Sequence, residues 1–117
     1  MEIETSAFDT KQVINQVFIV PGTSDAIRTT DYSALVIQVS NTTGSFNLDI
    51  LGSNDGIMYD NILATSLKDT TTSLLAVITQ NGNYAIPCLT KFIKINVADC
   101  TGSLKIVGIG RTSIWWN

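Results

Sequence analysis

The sequence predicts an all-β protein: a single antiparallel β-sandwich, jelly-roll-like, of about eight short strands with no long helix. Three observations predict it. Apolar residues alternate with polar ones in several runs, as in Leu35, Ile37 and Val39 or Phe46, Leu48 and Ile50, the period of a strand with one buried face. The runs are separated by clusters of Gly, Asn, Asp and Thr at intervals of about 8 to 12 residues. No segment sustains a 3.6-residue period between caps, so no helix of two or more turns is expected.

Composition agrees. The 117 residues suit one domain that buries roughly two thirds of its unfolded surface. Charged residues are only 15%, against about a quarter in an average domain. Ser, Thr and Asn, at 10, 15 and 9 copies, must therefore cover much of the surface. Thr and Ile are the commonest types, and both are β-branched and favour strands.

The chain divides into an extended N-terminal arm over 1–11, a sandwich over 12–110 and a C-terminal tail over 111–117. The arm is polar, with isolated Ile3 and Phe8. Gln12 to Val20 reads as the first strand, with apolar residues on both faces, and Pro21-Gly22-Thr23 ends it. Ser24 to Tyr32 reads as a loop. Ser33 to Ser40 is a strong strand, and Asn41 to Gly44 turns it back into Ser45 to Leu51. After the loop Gly52 to Gly56, Ile57 to Leu63 is expected as a return strand. Ala64 to Thr72 reads as an exposed loop and Ser73 to Thr79 as a strand. Asn81-Gly82 predicts a hairpin turn into Tyr84 to Leu89, because Asn-Gly accepts positive φ. Pro87 places that stretch at a sheet edge or a strand's end.

Lys91 to Val97 and Ser103 to Ile109 are expected to form the last hairpin. Here an internal repeat emerges: a displacement of 58 positions carries Leu35, Ile37, Val39, Gly44, Phe46 and Gly52 onto Ile93, Ile95, Val97, Gly102, Leu104 and Gly110. The same local structure is predicted at both places, from a duplicated hairpin or from one turn geometry demanding the same residues twice. The inward residues Leu35, Ile37, Val39, Phe46, Leu48, Ile50, Ile93, Ile95, Val97, Leu104 and Ile106 form the expected core.

Several kinds of chemistry find no support. There is no histidine, which removes the usual triad base and proton shuttle. Asp49, Asp55 and Asp60 are close in sequence, but so small a domain with short loops has difficulty walling a catalytic cleft. Asn54, Asp55 and Asp60 match no calcium-loop spacing, and Asn-Asp-Gly is first a turn. No catalytic residue, metal site or cofactor is expected. Net charge is −3 and the seven basic residues are scattered singly, so no nucleic-acid partner is expected. The acidic start lacks the layout of a signal peptide and no apolar run could span a bilayer, so the expectation is a soluble protein made in the cytoplasm. Cys88 and Cys100 have no metal-ligand spacing and read as free, half-buried thiols.

Interaction residues are expected at the two ends. Trp115 and Trp116 can each bury about 200 Å², worth several kcal/mol at roughly 25 cal/mol per Å². In a strand their side chains would point to opposite faces, one to this domain and one to a neighbour. Ile3 and Phe8 of the arm are the corresponding candidates at the other end.

The stretch from Gly44 to Asn61 resembles a pattern common in small virion proteins of tailed bacteriophages with sandwich or jelly-roll folds. An apolar-alternating strand (Phe46, Leu48, Ile50) precedes Gly52, Ser53, Asp55 and Gly56, and the aromatic Tyr59 follows. The resemblance carries no catalytic residues. It implies a non-enzymatic structural protein made in the host cytoplasm and located in the virion. The expected role is an auxiliary capsid (decoration) protein, with a tail, neck or fibre component as the alternative. Other virion proteins are the expected partners, together with further copies of this chain, a trimer being the first expectation. A rival of another class is a carbohydrate-binding sandwich, with Tyr32, Tyr59, Trp115 and Trp116 as the rings available for stacking.

Overall fold

The computed structural model describes residues 8–68 and 74–113, with 8–10 and 113 described only by their backbone. Among them are eleven strands and no helix. They are β1 (Phe8–Phe18), β2 (Gly22–Thr23), β3 (Ile27–Arg28), β4 (Ala34–Asn41), β5 (Phe46–Ser53), β6 (Asp60–Ile62), β7 (Ala64–Ser66), β8 (Leu74–Leu75), β9 (Gly82–Pro87), β10 (Phe92–Cys100) and β11 (Leu104–Ser113). One sheet has the order β1-β11-β4-β9-β7-β8 and the other β2-β10-β5-β6, with β3 also paired to β10. All named pairs are antiparallel.

Leaving out the short β3, β7 and β8 and counting the rest in chain order, the sheets read 1-8-3-6 and 2-7-4-5. This is the strand order of a jelly roll. The sandwich expected from the alternation is thus the observed fold, with eleven strands where eight were expected. The extra strands are two or three residues long and carry no periodicity: β3 falls within the loop read over Ser24 to Tyr32, and β7 within the loop read over Ala64 to Thr72. The return strand expected from Ile57 shrinks to β6, and Ile57 and Met58 are 82% and 72% exposed. At the ends, β1 starts within the stretch read as an arm and β11 runs into the stretch read as a tail, because Phe8 to Phe18 and Leu104 to Ser113 pair with each other.

All eleven residues expected in the core are buried. The two turns expected to close hairpins do something else. β4 and β5 lie in different sheets, as do β10 and β11, so Asn41 to Gly44 and Thr101 to Gly102 are corners that carry the chain from one sheet to the other. Each corner is held by the other. Asn41 Nδ2 donates to the carbonyls of Thr101 (3.0 Å) and Ser103 (3.2 Å), Thr101 N donates to Ser45 O (2.9 Å), and Ser45 N to Thr101 Oγ1 (2.9 Å).

The repeat is therefore a pseudo-two-fold relation between two arches. Leu35, Ile37 and Val39 of β4 stand opposite Gly110, Gly108 and Ile106 of β11. The displaced residues Ile93, Ile95 and Val97 of β10 stand opposite Gly52, Ile50 and Leu48 of β5, the same register. The glycines match too. A Cβ on Gly110 would lie 2.5 Å from the Tyr32 ring, and one on Gly52 would lie 2.8 Å from Thr90 Oγ1 and closer still to Ile62; Tyr32 and Thr90 are themselves related by the same displacement.

The expected Asn81-Gly82 hairpin turn does not form. β8 pairs with β7, Ile78 crosses to the second sheet, where its N–H and carbonyl bond those of Leu48, and β9 already begins at Gly82. Asn81 instead uses its side chain as a strand partner: Asn41 N donates to its Oδ1 (2.9 Å) and its Nδ2 donates to Asn41 O (3.1 Å). No described residue other than glycine has positive φ, which the expected tight turn would require of Asn81.

Candidate interaction surfaces

The Gly52 to Tyr59 loop is built from its side chains. Asp55 Oδ1 accepts from Ser53 Oγ (2.9 Å), Ile57 N (2.8 Å) and Met58 N (3.0 Å), while Gly56 N donates to Ser53 Oγ (2.9 Å). Gly56 has φ of 78°, a conformation that costs glycine least. The Ile57 and Met58 N–H groups, then the Ser53 hydroxyl, hold the Asp55 carboxyl below the usual carboxylate range. Asn54 Oδ1 accepts from Lys91 N (3.1 Å), which ties the loop to the start of β10. This carboxylate is spent on shaping a turn.

The loop lies beside the outer face of the second sheet, where polar side chains are hydrogen-bonded across the strands and the half-buried Leu51 and Phe92 share the face. Thr23 Oγ1 donates to Asn96 Oδ1 (2.8 Å), Asn96 Nδ2 to Asp49 Oδ1 (3.0 Å), and Asn61 Nδ2 to Asp49 Oδ2 (3.4 Å). The Lys94 ammonium lies 4.6 Å from the centre of the Tyr59 ring, a cation–π contact. Asp49 and Asp55 thus serve separate networks, and Asp60 is the first residue of β6, opposite Gly52.

The outer face of the first sheet is different. Side chains that alternate with the buried Leu35, Ile37, Ile86 and Ile106 point away from the core. Across β11, β4 and β9 they place Ile109 beside Val36 and Val36 beside Ala85, with Val107 and the Ala34–Pro87 pair in the adjoining rows. These six are half-buried by their neighbours. Polar residues interrupt and flank them: exposed Gln38 and Asn83 complete the row of Val107, Arg111 stands beside Ala34, Gln12 on β1 lies opposite Ile109 and Thr65 on β7 opposite Ala85.

Of the expected interaction residues, Ile3, Trp115 and Trp116 lie outside the described residues, and Phe8 is placed only as the first residue of β1, opposite Ser113. The described rings expected for sugar stacking do not share a surface: Tyr32 packs onto Gly110 of the first sheet and Tyr59 stands by Lys94 of the second. Sequence reasoning missed the buried Tyr84, whose hydroxyl donates to Gln80 O (2.6 Å) beside a shallow hollow lined by Ser66, Leu75, Val77, Thr79, Gln80 and Tyr84. Both cysteines are free; Cys100 is buried, and burial pushes the half-buried Cys88 thiol up to about 11. Among the described residues no three His, Cys, Asp or Glu side chains gather as a metal site, and no helix is long and apolar enough to cross a membrane.

No family model and no curated protein matches the sequence. Solved structures do match the fold. The SPBc2 prophage-derived protein YomS superposes with a TM-score of 0.76 at 12% identity, over 90% of this chain and 93% of that one. The PBSX exported protein XepA superposes with a TM-score of 0.74 at 16% identity, over 96% of this chain but 40% of that one. At such identities the likeness is one of fold.

Proposed function

We propose that this chain is a non-enzymatic structural protein of a tailed bacteriophage particle, and within it an auxiliary capsid (decoration) protein bound to other virion proteins. The observation that carries the reading is the jelly roll itself, matched along nearly the whole chain by a protein described as prophage-derived. The strand and loop that resemble phage virion proteins support it, since after Gly52 the residues Ser53, Asp55 and Gly56 close a hydrogen-bonded turn. The non-enzymatic part rests on a sequence without histidine and on aspartates engaged in structural hydrogen bonds.

Gold-labelled antibody against the protein, applied to purified particles and viewed by electron microscopy, tests this reading. Label on the heads is expected. Label on tails would move the protein to a tail, neck or fibre role. Unlabelled particles, with the protein left in the cleared lysate, would remove the virion assignment, and specific retention on a glycan array would then favour the carbohydrate-binding class.

A further inference from the structure

The edges of the two sheets are not alike. Among the described residues most are closed by strands of two or three residues: β8 in the first sheet, β2 and β3 along one side of the second and β6 along the other. Short edge strands keep a sheet from pairing with other chains. The exception is β1, 11 residues long and paired on one side only, with β11. We propose that β1 is a pairing edge: two copies of this chain join β1 to β1, antiparallel, about a two-fold axis.

Backbone chemistry fixes the class of partner. An unpaired strand edge presents N–H and carbonyl groups at a spacing that another extended strand matches. A bulge between Gln12 and Ile14 interrupts β1, which leaves residues 14–18 as its regular run, about 17 Å long. Phe18 closes that run, its carbonyl accepting from Cys100 Sγ (3.6 Å). The run reads Ile-Asn-Gln-Val-Phe, with no charge, proline or glycine, so none of the usual side-chain devices blocks pairing there. Apolar side chains gather at the same edge: Val17 is 58% exposed, and Ile19 and Val20, just past the strand, are 70% and 62% exposed.

Length and closure choose the occupant. In a second copy β2, β3, β6 and β8 offer only two or three residues, too few to match the run 14–18. Pairing β1 with any of them would also repeat head to tail into an open chain. β1 against β1 matches in length, and the two-fold axis closes the assembly at two copies. An axis at Gln16 sets Ile14 beside the partner's Phe18 and Asn15 beside the partner's Val17. The core-facing side chains of both copies then stay on one side of a joined sheet. The inference stands apart from the particle assignment, because a dimer in solution requires no virion.

A contact of this size is a weak one, so sedimentation velocity of the full chain is carried up to about 300 μM, where a monomer–dimer equilibrium is expected. Hydrogen exchange of the backbone amides distinguishes edge pairing from any other dimer. Along residues 14–18 the amides that do not bond β11 should exchange freely in dilute protein and slow about threefold or more at the highest concentration. Val17→Lys, which puts a charge at an already exposed position of the edge, should abolish the dimer. Circular dichroism checks that it is folded, and Asn15→Lys takes its place if it is not. Leu74→Lys, at an exposed position of β8, should leave the dimer intact. A monomer at every concentration overturns the proposal. So does a dimer whose β1 amides exchange as in the monomer, or one that survives Val17→Lys or yields equally to Leu74→Lys.

Discussion

The arch made by β4 and β5 and the arch made by β10 and β11 agree where they face the core and differ where other elements touch them. Leu35, Ile37, Val39, Phe46 and Leu48 are buried in the first, and Ile93, Ile95, Val97, Leu104 and Ile106 take their places in the second. Then Ile50 of the first arch corresponds to Gly108 of the second. The missing side chain has a substitute: a Cβ on Gly108 would lie 3.0 Å from Ile14 Cδ1 and 3.0 Å from Ile37 Cγ2. Ile14 of β1, directly opposite Gly108 and buried, fills the volume that the arch itself leaves empty. At the corners, buried Asn41 corresponds to exposed Asp99, which follows a bulge in β10. The repeat holds wherever both copies solve the same packing problem, and departs where β1 or the opposite corner supplies what the arch lacks.

The strongest way to break this equivalence is to hollow it. Ile37 and Ile95 are both 0% exposed, so Ile37→Ala and Ile95→Ala should each cost roughly 2 to 5 kcal/mol. The two costs should lie within about 1 kcal/mol of each other, since relaxation around a cavity sets the spread. Denaturant unfolding measures both. A cost confined to one arch would mean that the halves do not share the core equally.

Gly108 sharpens the contrast. Gly108→Ala should destabilise by about 1 to 3 kcal/mol through overpacking, and adding Ile14→Val should return part of that loss by shortening the side chain in the way. At the related position Ile50→Val should cost about 0.5 to 1.5 kcal/mol, as a lost methyl in a filled core. If Gly108→Ala is silent in thermal melts, Ile14 is not what fills that space.

What was legible in the sequence follows from which interactions are local. The eleven core residues were legible because alternation alone decides which face of a strand is buried. The pairing of those strands was not. A hairpin turn and a sheet-to-sheet corner use the same Asn, Thr and Gly, and only the distant acceptors of Asn41, on Thr101 and Ser103, distinguish them. β2 and β3 are two residues long, too short for any period. The outward positions Ala34 and Val36 could be read from β4, but their continuity with Ile109 and Ala85 is a product of pairing.

Between the corners, Asn41→Ala should cost about 1 to 3 kcal/mol, because it removes from a buried position the amide that bonds the part-buried carbonyls of Thr101 and Ser103 on the opposite corner and the oxygen that receives Gly44 N. Its exposed counterpart Asp99→Ala should change stability by no more than about 0.5 kcal/mol. Equal effects, measured by chemical denaturation, would show that the corners do not lean on each other as the hydrogen bonds indicate.

The smallest effect is expected where the arches stop resembling each other altogether. Beyond Gly110 the second arch continues as strand to Ser113, whereas beyond Gly52 the first breaks into the loop closed by Asp55. Asp55 accepts from two backbone N–H groups and a hydroxyl through one oxygen, Oδ1. Asp55→Asn keeps an oxygen there and loses only the charge, so the melting temperature at neutral pH should scarcely move. The acid limb should respond more. Because folding lowers this carboxyl's pKa, its contribution is present above the ordinary carboxylate range and is lost as pH falls through the lowered value. Melts taken from neutral to acid pH should therefore show the parent losing slightly more stability than Asp55→Asn as the carboxyl protonates. The carboxyl is fully exposed, so solvent screening keeps the difference small. A large drop for Asp55→Asn at neutral pH, or a melting temperature that falls when EDTA is added to the parent, would mean that the charge holds something other than its own turn.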